Sequence, residues 1–288
     1  MTAGTRAALA KRSGGESNPG CFLRGRKMRT TITGVCLYLA IVAAGIAHAG
    51  EVSKARVVLV GDSTLAPNSG YGNALCARFA PSARCLNMAR SGDSSMSYRE
   101  EGLWKAVLVL ATKPPYTRSY VLIQFGHTDQ RGKPGISTTL EQFSANLTRY
   151  VQEAREVGAQ PVLVTPLTRR KFENGKVARS LEQWAEATRQ VAEQMQVPLL
   201  DLNRDSVNAV EGMGSTAANT LARGAPPPDV AAAALTGTTI AAPAPVGPLR
   251  DAFDYTHLGP KGAEFFAALV AQEIRGAIPA LGRHIEPE

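Results

Sequence analysis

Five short runs of apolar and β-branched residues alternate along this chain with longer stretches whose apolar residues recur at helical spacing. The predicted strands are 56–60, 83–88, 120–125, 161–165 and 198–202, and the predicted helices are 71–79, 100–111, 140–158, 181–195 and 260–275. Such alternation is typical of parallel strands joined by right-handed crossovers, with helices on both faces of the sheet. We therefore predict an α/β fold, a three-layer α/β/α sandwich with a five-stranded parallel sheet. Its strand order should reverse near the first strand and open a crevice above that strand's end.

The first 49 residues have the pattern of a secretory leader. Residues 32–46 are mostly apolar, follow four Arg and Lys residues within 24–29, and end at the small-x-small sequence Ala47-His48-Ala49. The apolar stretch is short for a membrane span of about 20 residues. We expect a signal peptide over 1–49, with Met28 as an alternative start, and a secreted or periplasmic single domain over 50–288. The alternative is an uncleaved membrane anchor.

The basic charge of the chain is mostly a property of this leader. The whole sequence has a net charge of +8 from 32 Lys and Arg against 24 Asp and Glu. Residues 1–49 hold seven of the basic residues and one of the acidic ones, which leaves 25 against 23, a net charge of +2. We therefore expect no nucleic-acid partner and, once the leader is removed, no stable membrane insertion.

Two cysteines, Cys76 and Cys85, lie outside the leader, nine positions apart. In an exported protein such a pair indicates one structural disulfide. A redox or metal role would need CxxC spacing or nearby His ligands, which this pair lacks. We predict neither a metal nor an organic cofactor.

Residues 207–247 depart from the α/β pattern. They are rich in Ala, Pro, Thr and Gly and lack a stable hydrophobic period. We interpret them as a low-complexity, partly disordered insertion, with a lid over the active site as the alternative.

A serine follows the first predicted strand without a spacer. Gly61-Asp62-Ser63-Thr64 comes directly after the apolar run 57–60. Ser63 should therefore lie at the carboxyl edge of the sheet, where open α/β folds bind their ligands. To act as a nucleophile it needs a base, a residue that orients the base, and donors for an oxyanion.

The segment before the last predicted helix supplies the first two of these. Asp254 and His257 lie three positions apart in a short loop, so the carboxylate can hold one ring nitrogen while the other faces a serine. His127 is the competing base. Gly92 and Thr128 follow the second and third predicted strands, and the N–H groups of Ser63 and Gly92 with a donor near Thr128 could converge on one oxygen.

The chain resembles the SGNH (GDSL-type) hydrolases, and within them the rhamnogalacturonan acetylesterase branch, which has a flavodoxin-like fold. The resemblance rests on five blocks in family order, across residues 57–275: 61–64 (GDST), 87–104, 124–130 (QFGH-x-DQ), 165–172 (TP with RR-x-F) and 254–263 (D-x-TH-L-x-PKGA).

The resemblance implies roles for individual residues. Ser63 would be the nucleophile, His257 the general base and then acid, and Asp254 its orienting residue. The oxyanion hole would consist of the N–H groups of Ser63 and Gly92 and the side chain of Thr128, where the family has Asn. A threonine hydroxyl sits on a stiff β-branched stem and differs from an amide in reach and direction.

Further residues of the matched blocks have open interpretations. His127 is a substrate-binding candidate or a structural hydrogen-bonding residue, and Asp62 and Asp129 are predicted to shape loops. The loop after the fourth strand has a cluster of four basic residues, which could bind uronate carboxylates or could form a solvated basic loop: Arg169, Arg170, Lys171 and Arg179.

The function expected from these residues is that of an exported serine esterase. It would remove O-acetyl groups from an acetylated polysaccharide or oligosaccharide, rhamnogalacturonan or another pectic polymer, through an acetyl-serine intermediate. The alternatives are a general GDSL-type carboxylesterase or lipase, and a catalytically weakened carbohydrate-binding descendant.

Overall fold

The five predicted strands form one parallel sheet in the computed structural model, which describes residues 54–242 and 252–287. Its strands are β1 (Ala55–Gly61), β2 (Ala83–Asn87), β3 (Arg118–Gln124), β4 (Gln160–Val164) and β7 (Leu199–Leu200). Their order is β2-β1-β3-β4-β7, and all four neighbouring pairs are parallel. The chain reverses direction across the sheet at β1, as predicted, so the crevice of this topology lies above the end of β1.

All five predicted helices are present, with bounds within a few residues of the prediction. They are α1 (Gly72–Ala77), α3 (Leu103–Thr112), α4 (Leu140–Glu156), α5 (Glu182–Met195) and α8 (Pro260–Ala277). A capping box at Thr139 starts α4, and Pro260 occupies the first turn of α8. The sequence did not predict the short helices α2 (Ser97–Glu100) and α9 (Pro279–Gly282).

Helices cover both faces of the sheet. Val57 and Leu59 of β1 pack in one hydrophobic cluster with α1 and α8, while Val58 and Val60 pack in a second cluster with α3, α4 and α5. Successive residues of a strand point to opposite faces, so the continuous apolar run 57–60 in β1 is what a sheet buried on both sides requires. The three-layer α/β/α sandwich is confirmed.

The interpretation of 207–247 as a partly disordered insertion was wrong for the part that the structure describes. Residues 202–219 form α6 (Leu202–Asn219), interrupted at Gly214 (φ 77°, ψ 163°), and 228–234 form α7 (Pro228–Ala234). Val207, Val210 and Ala218 of α6 are buried in the cluster that contains α8. The buried residues of α6 also include the polar Ser215 and Asn219, so the segment shows little hydrophobic contrast in sequence. Residues 243–247 lie outside the described part.

A two-stranded hairpin follows β4 and was not predicted. It consists of β5 (Phe172–Glu173) and β6 (Lys176–Val177), paired antiparallel. Phe172 exchanges hydrogen bonds with Thr239 beyond α7, its N–H bonding the threonine hydroxyl at 2.7 Å. The chain from α7 to residue 242 therefore packs on the loop that follows β4.

The predicted disulfide is present. Cys76 on α1 and Cys85 on β2 are bonded, with their Cα atoms 5.1 Å apart. None of the helices in the described residues is long and apolar enough to cross a membrane. The predicted signal peptide, 1–49, lies outside those residues.

Candidate active site

The turn after β1 fixes Ser63 at the carboxyl edge of the sheet. A Cβ atom on Gly61 would lie 2.3 Å from a carbonyl oxygen of β3, so the strands approach too closely there for another residue. The buried carboxylate of Asp62 accepts hydrogen bonds from the N–H and hydroxyl of Thr64 (3.0 and 2.9 Å) and from the N–H of His127 (3.1 Å). Asp62 therefore shapes the serine turn and ties it to the loop after β3.

Ser63, His257 and Asp254 form a continuous chain of hydrogen bonds. His257 Nε2 lies 3.0 Å from Ser63 Oγ, and His257 Nδ1 lies 2.7 Å from Asp254 Oδ2. Because an ionised carboxylate only accepts, Nδ1 carries the proton and Nε2 accepts from the serine hydroxyl. Burial by itself would raise the pKa of Asp254, but hydrogen bonds from His257 and from the N–H of Thr256 hold it well below its usual range.

Arg170 does not lie where a substrate-binding residue would. Its side chain is fully buried, and its guanidinium donates to the carbonyl oxygens of Asp254 (2.7 Å), Thr256 (3.2 Å) and His257 (2.9 Å). Burial lowers the pKa of Arg170 to about 10. The prediction that Arg170 binds substrate was therefore wrong. Its guanidinium instead binds the backbone of the loop that carries His257.

A cavity of about 270 Å³ opens above Ser63 and His257. The residues that line it are all polar or charged, and three of them are cations: Ser63, His127, Thr128, Arg131, Arg169, Lys171, Thr256 and His257. Arg169 Nη1 donates to Gln130 (2.6 Å) and Ser180 (2.9 Å), which holds its guanidinium at the cavity wall. The adjacent residues Arg169 and Arg170 thus face opposite environments.

Of the predicted oxyanion residues, Ser63 and Thr128 line the cavity and Gly92 does not. Thr128 is buried at the cavity wall, and its hydroxyl makes no hydrogen bond within 54–242 and 252–287. Gly92 is exposed and does not line the cavity, but its φ of +93° is the left-handed conformation that favours glycine. The preceding Ser91 hydroxyl lies 3.0 Å from that of Ser69, which donates to the Ser63 carbonyl at 2.6 Å. Gly92 therefore adjoins the serine turn.

His127 lies in the cavity wall as a neutral, structurally held imidazole. Its side chain is 3% exposed, and its Nε2 lies 2.8 Å from the carbonyl oxygen of Leu167. Since a carbonyl accepts, Nε2 carries the proton. Burial lowers the pKa of His127 to about 4. This geometry, with the ring bound to the loop after β4 and not to Ser63, gives no support to His127 as the competing base.

Asp129 joins the loops that follow β2 and β3. Its carboxylate accepts from the N–H of Ser95 (3.1 Å), the hydroxyl of Ser95 (2.6 Å) and the hydroxyl of Thr138 (2.9 Å). Burial raises its pKa to about 6 despite these bonds. Like Asp62, it is a loop-shaping carboxylate.

Sequence reasoning placed Lys171 in the basic loop after β4, and the structure places it in the cavity wall, but two other residues at this site were missed. Arg131 lines the cavity, and Arg223 Nη2 lies 3.3 Å from Asp254 Oδ2. Arg131 directly follows a matched block, so its charge was a usable signal. Arg223 gave none, because it belongs to the segment interpreted as an insertion.

Metal-binding geometry is not evident in the residues that the structure describes. Within 54–242 and 252–287 there is no group of three or more His, Cys, Asp or Glu side chains placed to hold one ion.

Comparison with known proteins gives the same picture as the site. The family model of the GDSL-like Lipase/Acylhydrolase family matches residues 59–265. The rhamnogalacturonan acetylesterase RhgT of Bacillus subtilis (strain 168) is 37% identical over 155 residues, 51% of this chain and 64% of that protein. The match therefore spans less than two thirds of the relative. The probable rhamnogalacturonan acetylesterase YesY of the same organism is 31% identical over 163 residues, 53% of this chain and 72% of that protein.

Solved structures share the fold. The protein YXIM of Bacillus subtilis has a TM-score of 0.59 at 21% identity, covering 78% of this chain and 58% of that one. Axe2, an acetylxylan esterase from Geobacillus stearothermophilus, has a TM-score of 0.51 at 18% identity, covering 76% and 93%. With the serine turn and the histidine loop both inside the matched residues, the chain belongs to the GDSL-like lipase/acylhydrolase family, the SGNH hydrolases.

Proposed function

We propose that this protein is an exported serine esterase that removes O-acetyl groups from a carbohydrate, rhamnogalacturonan or a related pectic polymer. The observation that carries the proposal is the hydrogen-bonded chain from Ser63 through His257 to Asp254, which lies at the cavity with its tautomer set for base catalysis. The names of the curated relatives supply the substrate class.

The first half of the reaction acylates the serine. Ser63 Oγ attacks the acetyl carbonyl carbon while its proton passes to His257 Nε2. The carbonyl oxygen becomes the oxyanion, held by the N–H groups of Ser63 and Gly92 and by the Thr128 hydroxyl. When the intermediate collapses, His257 returns the proton to the departing sugar oxygen. Acetyl-Ser63 and a free sugar hydroxyl remain.

The second half releases acetate. Water attacks the acetyl-Ser63 carbonyl as its proton passes to His257 Nε2, and the same donors hold the second oxyanion. Collapse breaks the bond to Ser63 Oγ, which takes the proton back from His257. Asp254 remains ionised throughout, because its role is to hold the Nδ1 proton and the imidazolium charge.

The composition of the cavity wall favours a substrate with a short acyl group on a polar, anionic chain. Its lining residues include no Leu, Ile, Val, Met, Phe, Tyr or Trp, so they form no hydrophobic groove for a long acyl group. Arg131, Arg169 and Lys171 supply three positive charges, and the carboxylates of uronic acids would complement them. This argues against the lipase alternative and for a pectic substrate.

The experiment measures acetate release by the full-length protein. The substrates are acetylated rhamnogalacturonan, acetylated xylan, and nitrophenyl esters of short and long chain length. We expect turnover of the acetylated pectic polymer and the short ester, little on the long ester, and loss of both activities in Ser63→Ala. Ser144→Ala on α4 is the matched control, since its hydroxyl bonds only its own helix.

Each alternative has its own result. Preference for the long-chain ester would favour the lipase. Absence of release from every ester, with retained polysaccharide binding, would favour the binding protein. Export is tested separately: the amino-terminal sequence of protein recovered outside the cytoplasm should begin at residue 50.

A further inference from the structure

Arg223 contacts the Asp254 carboxylate from a segment that the mechanism above does not use. Its Nη2 lies 3.3 Å from Asp254 Oδ2, the oxygen that also lies 2.7 Å from His257 Nδ1. The other oxygen, Oδ1, accepts the N–H groups of Thr256 and His257. Arg223 therefore completes a set of four donors around a carboxylate that has about four acceptor positions. The carboxylate cannot turn away from the imidazole without breaking one of these bonds.

The backbone beside Arg223 is locked to the histidine loop. Ala222 forms an antiparallel bridge with Leu258, and the N–H of Gly259 donates to the Leu221 carbonyl at 3.0 Å. The two segments are so close that a Cβ atom on Gly259 would lie 2.5 Å from the Ala222 carbonyl oxygen. Arg223 is thus held at a fixed distance from the loop 254–257.

Burial separates this ion pair from an ordinary surface pair. The Arg223 side chain is 17% exposed and that of Asp254 is 36% exposed. Exposed pairs contribute little because water and salt screen them, whereas partly buried charges interact more strongly. Arg223 therefore exerts its charge on the oxygen that Asp254 shares with His257.

We propose that Arg223 is a positioning residue, which holds Asp254 in line with His257 and places a fixed positive charge beside the imidazole. The inference rests on the proposed function, in which His257 is the base. A fixed positive charge at the shared oxygen disfavours a second positive charge on the ring. Only the neutral ring can take the Ser63 proton, so loss of the Arg223 charge should change the pH profile of the Ser63 reaction.

Other charged groups also face His257, and none of them duplicates this contact. Asp254 lies on the same loop as His257. The remaining groups come from three other segments: Asp62 from the turn after β1, His127 and Arg131 from the loop after β3, and Arg169, Arg170 and Lys171 from the loop after β4. Arg170 is next to Asp254 but donates to backbone carbonyls. Among the residues that the structure describes, Arg223 is the only arginine whose side chain forms an ion pair with the Asp254 carboxylate.

The test measures how fast a fluorophosphonate modifies Ser63 of the full-length protein between pH 4 and 9, by intact mass. This reaction needs the serine and its base but no sugar. In Arg223→Gln we expect the acid limb of the rate profile to move to higher pH by about half to one unit. Arg223→Lys retains the positive charge, so the acid limb of its rate profile should stay near that of the parent. Its maximal rate should be lower, because an ammonium lacks the planar geometry of the guanidinium.

Arg189→Gln is the matched control, because Arg189 also forms a partly buried ion pair, with Asp201 at 3.1 Å and 23% exposure. Its acid limb should not move. An unmoved limb in folded Arg223→Gln, or an equal shift in Arg189→Gln, would overturn the inference. Arg223→Met gives the same readout if the Gln variant does not fold.

The outcomes for the parent separate this inference from the proposed function. If the parent protein reacts with the fluorophosphonate but releases no acetate from any polymer, the proposed substrate is wrong. The role of Arg223 is then still decided by the pH profile of Arg223→Gln. A parent whose Ser63 does not react overturns both.

Discussion

Removal of the Arg170 guanidinium should destabilise the histidine loop and the whole fold. Arg170 is fully buried and donates three hydrogen bonds, at 2.7–3.2 Å, to the carbonyl oxygens of Asp254, Thr256 and His257. In Arg170→Met those carbonyls lose their charged donor, at about 1–3 kcal/mol each. The buried charge is lost as well, which offsets part of the cost. We expect a net loss of about 3 kcal/mol, or a fall in Tm of roughly 6–12 °C for a domain of this size.

Activity should fall further than stability explains. Arg170 holds the backbone on both sides of His257, so its loss lets the imidazole move away from Ser63 even in the folded protein. The assays are thermal unfolding followed by circular dichroism, and hydrolysis of nitrophenyl acetate well below the Tm. Arg170→Lys should recover part of both quantities, because one ammonium replaces a fork that reaches three oxygens.

The neighbouring residue provides the control. Arg169 lines the cavity, so Arg169→Met should leave the Tm nearly unchanged and raise KM for the acidic polymer more than for nitrophenyl acetate. An Arg170→Met protein with the parent's Tm and activity would refute the reasoning. A defect confined to KM for the polymer would instead restore Arg170 as a substrate-binding residue.

Three further changes have defined expectations. Thr128→Asn should raise kcat, because an amide reaches the oxyanion better than a hydroxyl on a β-branched stem, and Thr128→Val should lower it about tenfold or more; a large loss in the Asn variant would mean that the site is built around threonine. Burial and nearby carboxylates raise the pKa of Glu273 to about 8, so its contribution to stability is full below the unfolded pKa and is lost as pH rises through about 8. Glu273→Gln should therefore gain about 1–3 kcal/mol in urea unfolding at pH 8.5 and almost nothing at pH 4.5, and an equal gain at both would contradict the assignment. Replacing Cys76 and Cys85 together by Ala should lower the unfolding free energy by about 2–3 kcal/mol, the loop-closure contribution of a short disulfide, and an unchanged value would contradict it.

The sequence predicted those parts of the molecule that hydrophobic contrast specifies. In β1 the run 57–60 is apolar and buried, and the strand ends in a glycine that the neighbouring strand requires, so both the sheet and the place of Ser63 could be derived. The packing of α6 could not, because its buried residues include polar ones, Ser206, Ser215 and Asn219, and so give no clear hydrophobic period. That failure also hid Arg223.

The sequence also could not distinguish the roles of two adjacent arginines. Arg169 and Arg170 are equivalent in sequence, yet one lines the cavity and the other is fully buried against the histidine loop. Which one faces inward depends on the path of the chain after β4, including the hairpin β5–β6, which the sequence did not predict. Local composition therefore located the basic loop but could not show which of its arginines lines the cavity.

The most direct test of the account is the chemical identity of the acyl intermediate. The full-length protein would be mixed with nitrophenyl acetate or acetylated rhamnogalacturonan, quenched in acid within the first turnovers, digested and examined by mass spectrometry. We predict an acetyl group on Ser63, and in Ser63→Ala no acetylated peptide and a fall in turnover of about a thousandfold or more. An acetyl group on another residue, or a Ser63→Ala protein that releases acetate at the parent's rate, would contradict the central claim.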